Sequence, residues 1–219
     1  VDQSVLALIA FTFSAGMTPG PNNIMLMTSG VNFGFRRSVP HMAGVALGFP
    51  VMVAIIGVGF GATILALPWV HDAVSFIGIP YILWLAWHIA AADPSRGLAH
   101  EPAIDGREPD ERIGRPRRPM SFLAASAFQW VNAKAWVMAI GMLALYAPVG
   151  YGVIGGIAIV IVVNVLIAIL SSVTWTAFGT VLAGLLSSPR RLRVFNIAMA
   201  LLLAATLIPA VIDLASRYL

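Results

Sequence analysis

The residues with the clearest capacity for chemistry are Thr18-Pro19-Gly20-Pro21-Asn22-Asn23, in the middle of a run, 3–35, that carries no Asp, Glu, Lys or Arg. Pro19 and Pro21 have no amide hydrogen, so in a helix they cannot bond the carbonyls of Ala15 and Met17. Two carbonyls are then freed inside an apolar stretch. Thr18 is a good helix N-cap and proline is tolerated in a first turn, which predicts one half-helix ending near Met17 and a second starting at Pro19. That second start offers free amides, Gly20's among them, at the positive end of a helix dipole. Carbonyls and amides opened at one point suit a small zwitterion or an anion. The plainer alternative is a proline kink that packs, with neighbouring hydroxyls and amides repairing the backbone.

Lys134 is the second outlier, near half depth of a predicted fourth span, where a charge costs about 2.5–3.5 kcal/mol on insertion scales. It needs a partner. Asp213 lies roughly 12 Å toward the far end of the sixth span at 1.5 Å per residue, and is poorly placed to neutralise it. The expected partners are the freed carbonyls of Ala15 and Met17, or the carboxylate of a bound solute. Structural pinning and substrate or proton handling both stay open for this lysine.

The elements that must position these groups follow from composition. Of 219 residues, 59% are hydrophobic and 10% charged, whereas a water-soluble domain carries about a quarter charged residues. Spans are predicted at 4–30, 39–67, 70–91, 121–146, 152–185 and 194–214, the last run being separated from its predecessor by charged residues and the long run 135–189 being split at Ala147-Pro148-Val149-Gly150-Tyr151-Gly152. All must be helices, because open strands leave their backbone unsatisfied in lipid. Residues 92–120, proline-rich and mixed in charge, read as a flexible linker between a first three-helix half, 1–91, and a second, 121–219. Three spans per half is odd, so the halves enter the membrane with opposite polarity, the topology of an inverted repeat. The expected fold is therefore an all-α polytopic membrane protein with six transmembrane helices, the first broken at mid-membrane.

Every basic residue except Lys134 and Arg217 falls in the gaps on one side of this arrangement, which predicts a cytoplasmic linker and both termini on the opposite, periplasmic side. The net charge of +4 is explained by topology, and no basic patch interleaved with aromatics points to nucleic acid. With no cysteine there is no disulfide, thiolate nucleophile or cysteine-ligated metal, and no cofactor or metal site is expected. No cleavable signal peptide is visible. Gly30, Gly34, Gly44 and Gly48 form small-xxx-small pairs around Arg36-Arg37 and predict close helix packing, which leaves room for a homodimer. Tyr81, Trp84 and Trp87 suit an interfacial belt, and His41 and His88 suit structural or interfacial roles. Asn164, Ser171, Ser172, Thr174, Thr176 and Asn196 are read as interhelical hydrogen-bonding groups, one or two of which line a pathway.

The Thr-Pro-Gly-Pro-Asn stretch, the glycines from Gly30 to Gly48 around a basic turn, and Asn132-Ala133-Lys134 resemble the lysine exporter and homoserine/threonine resistance (LysE/RhtB-type) family of bacterial amino-acid exporters, over essentially the whole chain. Ala133 stands where the second family motif has proline, which weakens the case for a matching break in the fourth span. The resemblance implies export of amino acids or close derivatives across the inner membrane, driven by the proton gradient. It places Thr18, Pro19, Gly20, Pro21, Asn22 and Asn23 at a substrate or gating site facing Asn132 and Lys134. No glycine-rich phosphate loop is present, which argues against nucleotide hydrolysis within this chain and for a driving ion gradient. An intramembrane hydrolase and a non-transporting membrane scaffold are the alternatives. The first needs a serine–histidine pair, paired carboxylates or a metal cluster, none of which is convincingly placed.

Overall fold

In a computed structural model, residues 3–59, 68–91, 118–145, 149–186 and 188–218 are described. They form α1 (Gln3–Met17), α2 (Pro21–Gly59), α3 (Pro68–Ala90), α4 (Phe122–Phe128), a 3-10 turn at Gln129–Val131, α5 (Ala133–Leu145), a 3-10 turn at Val149–Tyr151, α6 (Gly152–Leu185), α7 (Pro189–Ala205) and α8 (Ile208–Tyr218). No strand occurs among the described residues. Three helical stretches, Pro21–Val58, Gly152–Leu185 and Pro189–Ser216, are long and apolar enough to cross a membrane, and shorter apolar helices surround them. Large apolar side chains such as Leu123, Val153, Ile154 and Val181 lie on the outside, as a lipid-facing surface requires.

α2 is two helical arms that adjoin at Gly34, where the backbone is not helical. Ser29 and His41 would lie about 18 Å apart along a straight helix, yet Ser29 Oγ and His41 Nδ1 are 2.8 Å apart. Leu26 likewise packs with Met42 and Val45. The chain doubles back at Gly34, whose φ of 77° and ψ of 169° fall in a region that only glycine adopts without strain. The loop expected between the first two spans thus shrinks to one residue, and Arg36 and Arg37 begin the second arm instead of forming a turn. Gly34, expected to pack a neighbour, has nothing within 4 Å of where its Cβ would be.

The other glycines of that group do meet neighbours. Gly30 abuts the backbone of Thr176, and Gly179 abuts the backbone of Met27, so α2 and α6 touch main chain to main chain. A Cβ on Gly44 would sit 2.5 Å from the Phe122 carbonyl oxygen, and one on Gly48 would sit 2.6 Å from Ser126 Cα, which seats α4 on the second arm of α2. The two predicted halves therefore interleave: α2 packs on α6 and α4, and α3 packs on α7. The linker predicted at 92–120 lies, as far as residue 117, outside the described residues, and so does most of the loop after α2.

Ser121 caps α4 by accepting from the Ala124 amide at 3.2 Å, and Ser188 caps α7 by accepting from the Arg191 amide at 3.3 Å. The last predicted span is interrupted at Thr206–Leu207, where the Thr206 hydroxyl donates back to the Leu203 carbonyl at 2.6 Å. Trp84 and Trp87 are exposed on α3 beside Tyr81, which stacks on Trp84 with ring centroids 5.7 Å apart.

Gly34→Ala adds a methyl to open space but forces an alanine into that backbone region, at a cost of about 1–3 kcal/mol. We expect a lower thermal unfolding midpoint in detergent for this variant, and an unchanged or slightly higher one for Gly184→Ala, which is helical and equally open. Equal midpoints for both would show that the reversal does not depend on that conformation.

Candidate functional site

α1 ends at Met17 because the next residues cannot continue it. The Thr18 amide still reaches the Ser14 carbonyl at 3.0 Å, and the Thr18 hydroxyl donates to the same oxygen at 2.6 Å. Thr18 thus closes α1 and does not cap α2, contrary to expectation. α2 begins at Pro21, two residues later than predicted, with the Gly20 carbonyl accepting from the Ile24 amide at 2.9 Å. Glycine before and proline at the first helical position is a favoured start, since proline has no amide to lose and its φ is already helical. Pro19 is exposed within the break.

The break opens carbonyls, but not those expected. Gly16 and Thr18 are the acceptors in use, in place of Ala15 and Met17. Asn23 Nδ2 donates to Gly16 at 2.7 Å and to Thr18 at 2.9 Å, Ser171 Oγ reaches Gly16 at 2.8 Å, and Lys134 Nζ donates to Thr18 at 2.8 Å. Asparagine two residues into α2 reaches back because its side chain spans the gap that the three non-helical residues leave.

A second break lies opposite the first. Asn132 is extended, with φ of −90° and ψ of 101°, between the 3-10 turn and α5. Its side-chain oxygen accepts from the Lys134 amide at 3.2 Å and its carbonyl from the Ala135 amide at 2.8 Å, so it caps α5. The matching break that Ala133 argued against is therefore present. An asparagine cap starts a helix as well as a proline at the first position does, and the proline was never the necessary element. Gln129, not singled out from the sequence, is fully buried and pairs reciprocally with Asn22: Asn22 Nδ2 to Gln129 Oε1 is 2.8 Å, and Gln129 Nε2 to Asn22 Oδ1 is 3.2 Å. An amide three residues before Asn132 in an otherwise apolar run was the available signal.

The lysine crosses between the breaks. A Cβ on Gly20 would lie 2.8 Å from both Lys134 Cδ and Nζ, so the side chain rests on the glycine backbone, and only glycine permits that approach. From this point the first arm of α2 runs toward Gly34, while α5 runs back along α1, where Gly141 faces the Phe11 ring and Thr12 Oγ1 donates to Met142 Sδ at 3.3 Å. Two helix starts thus converge on one place with their first-turn amides and positive dipole ends.

Beside them lies a small, partly open recess of about 60 Å³. Thr12, Gly16, Gly20, Asn22, Asn23, Phe49, Asn132, Lys134, Asn164, Ser171 and Ser172 are among its lining residues, which include one cation and no carboxylate. Asn164 Oδ1 and Ser172 Oγ are buried with no hydrogen-bond partner, and Asn164 Nδ2 is turned to Met142 Sδ at 3.4 Å. The arrangement can hold a carboxylate at Lys134 and the helix starts, an ammonium at main-chain carbonyls, and a short side chain against Phe49 and Ile167. Among the described residues no group of three His, Asp or Glu is placed to hold a metal. Of the remaining predicted polar groups, Asn196 pairs with Asn32 at 3.0 Å, Thr176 is buried without a partner and Thr174 is exposed, while His88 sits on its own helix against Trp84. Nothing is described of the Asp213 side chain.

The sequence profile of the LysE type translocator family matches residues 13–216. Curated relatives called cysteine/O-acetylserine efflux protein, from Escherichia coli strain K12, Escherichia coli O1:K1 and Shigella flexneri serotype 5b, are 31% identical over 198 residues, covering 90% of this chain and 92% of theirs. No solved structure matches the chain.

The Asn22–Gln129 pair joins the two breaks; without Asn22 the buried Gln129 Oε1 loses its donor, although Nε2 keeps the Ala125 carbonyl at 2.8 Å, and an unpaired buried acceptor costs about 1–3 kcal/mol. In a double-mutant cycle by thermal unfolding, Asn22→Ala and Gln129→Ala together should cost clearly less than the sum of the two. Strict additivity would mean that the amides do not meet.

Proposed function

The chain belongs to the LysE type translocator family, and on that premise we propose that it exports small neutral amino acids or their close derivatives across the bacterial inner membrane, by alternating access and in exchange for protons. The family is one of transporters, not enzymes. The observation that carries the reading is the contact of Lys134 Nζ with the Thr18 carbonyl, 2.8 Å, between two broken helices at the wall of one recess. Broken helices of this kind hold zwitterions at the midplane of secondary transporters. Thr18, Gly20, Pro21, Asn22 and Asn23 form one side of the proposed site and Asn132 and Lys134 the other, with Pro19 holding the break open.

In the proposed topology α1 and the first arm of α2 make one crossing, the second arm of α2 another, and α3 the third. α4 with α5, α6, and α7 with α8 make the inverted second set. The facing breaks at 18–20 and at Asn132 support that symmetry. The one-sided distribution of basic residues supports a cytoplasmic linker and periplasmic termini. Gly30, Gly44 and Gly48 are used within the chain, so a homodimer would associate through other faces.

The lining chemistry narrows the substrate. Lys134 and the helix starts answer one carboxylate, and carbonyls answer one ammonium. A second positive charge has no carboxylate to meet in the recess, and an unpaired charge there is costly. Cysteine and O-acetylserine, for which the relatives are named, are neutral overall; lysine and arginine are not.

In proteoliposomes we expect counterflow of radiolabelled cysteine and O-acetylserine and little of lysine. Lys134→Ala should lower that exchange about ten- to hundredfold, the equivalent of a charge-assisted hydrogen bond of about 1.5–3 kcal/mol. Undiminished exchange by purified Lys134→Ala would put the site elsewhere, and no exchange of any amino acid by the wild type would overturn the transport reading.

A further inference from the structure

His41 is wholly buried, on the second arm of α2, and no part of the site uses it. Its Nδ1 lies 2.8 Å from Ser29 Oγ, and its Nε2 is enclosed without any hydrogen-bond partner. Three further buried polar atoms are also unpartnered: Thr28 Oγ1 on the first arm, and Trp175 Nε1 and Thr176 Oγ1 on α6. They share one layer, because the first arm at Met27–Gly30 lies against α6 at Thr176–Gly179, and Trp175 packs on the cluster of Leu26, Met42 and Val45. One turn nearer the recess, Ser172 Oγ, again unpartnered, belongs to the recess wall. Buried polar atoms are almost always paired, so five open ones on the segments between the recess and His41 need a physical reason.

We propose that His41 is the residue through which export is coupled to protons, and that the open hydroxyls and indole between it and Ser172 form the polar path by which its charge state and the recess communicate. The inference rests on the transport reading above and adds the coupling group to it. Ser29 suits that role: a hydroxyl can donate to a bare Nδ1 or accept from a protonated one, so the ring keeps a partner in both charge states. The step balances simply. A proton from the aqueous phase adds to the bare ring nitrogen in one facing state, and the same proton leaves to the opposite phase in the other, with no bond to substrate formed or broken.

The layer isolates the ring from other charges. The first arm of α2 (21–33), α4 with its 3-10 turn (122–131) and α6 (152–185) carry no Asp, Glu, Lys, Arg, Tyr or further His. Arg36 and Arg37, earlier on its own arm, are exposed, as are Arg118 before α4 and Arg190, Arg191 and Arg193 at the start of α7. Lys134 bonds Thr18, about 9 Å from the Ser29 level along α2 at 1.5 Å per residue, reckoned from Asn23, which bonds the same carbonyl. With no carboxylate in this layer, an imidazolium there is as costly as a second charge in the recess. The proposed proton is therefore held only in the facing state that opens the polar path to water, and it leaves as that path closes.

The test separates exchange from coupling, in proteoliposomes loaded with O-acetylserine. Wild-type protein should show counterflow without a gradient. For a one-proton antiport, each unit of pH difference should shift the steady-state distribution about tenfold. His41→Gln should keep counterflow within about twofold of wild type and lose the response to the pH gradient. Ser29→Ala should keep counterflow and displace the pH at which the response is half-maximal. A full gradient response in His41→Gln overturns the proposal. So does loss of counterflow together with gradient response in both variants when each purifies like wild type, for His41 is then a packing residue. A wild type that exchanges amino acids but ignores the gradient defeats proton coupling and this role for His41, while leaving transport intact. A wild type without counterflow defeats transport itself.

Discussion

The structure depends on the cost of leaving backbone carbonyls and amides without partners in an apolar interior. Two prolines and a glycine stop α1 from running into α2, and every consequence of that interruption must be answered by side chains from elsewhere in the chain. Asn23 answers from the next turn, Ser171 from α6 and Lys134 from α5. Two of the three donors, Ser171 and Lys134, come from the second half of the chain, so the break fixes how that half sits on the first. Gln129 and Asn22 extend the same logic: Asn22 supplies the donor for the buried Gln129 Oε1, while Gln129 Nε2 is shared between Asn22 and the Ala125 carbonyl.

Close backbone approach makes those reaches short enough. Gly30 with Gly179 brings the main chains of α2 and α6 into contact, Gly44 and Gly48 seat α4, and Gly20 lets the lysine stem lie flat across the break. A side chain at any of these positions would meet a neighbour too closely and push the elements, or the lysine stem, apart. The small residues and the polar residues are therefore one device: the first set the spacing at which the second can bond.

Much of this was legible in the residues, and the rest failed for identifiable reasons. The end of α1 at Met17 follows from proline chemistry alone, as does the extent of α6, 152–185, from uninterrupted apolarity. The acceptors were misassigned by one position each, because proline spacing tells which carbonyls lose a helical donor but not which ones the unwound backbone turns toward the lysine. The break at Asn132 has no proline to mark it, and an asparagine cap makes the same helix start with a weaker signal in the sequence. Gly34 looked like its packing neighbours, since spacing cannot distinguish a glycine needed for its small volume from one needed for its φ. Gln129 and the interruption at Thr206 carry no periodic signal at all; their roles appear only once the opposing residue is known.

The way the break is satisfied bears directly on the proposed transport. A solute carboxylate can bind Lys134 only by drawing its ammonium away from the Thr18 carbonyl, and a carbonyl left bare would make that exchange expensive. It is not left bare, because Asn23 already donates to the same oxygen at 2.9 Å, and Gly16 likewise has two donors, Asn23 and Ser171. Each opened carbonyl therefore keeps a partner when one donor is withdrawn. A carrier needs a site that changes partners at little cost in both directions, since a site that binds tightly in one state traps its cargo. Doubly served carbonyls beside a single movable cation meet that requirement, and a proline kink built only for packing has no need of the second donor.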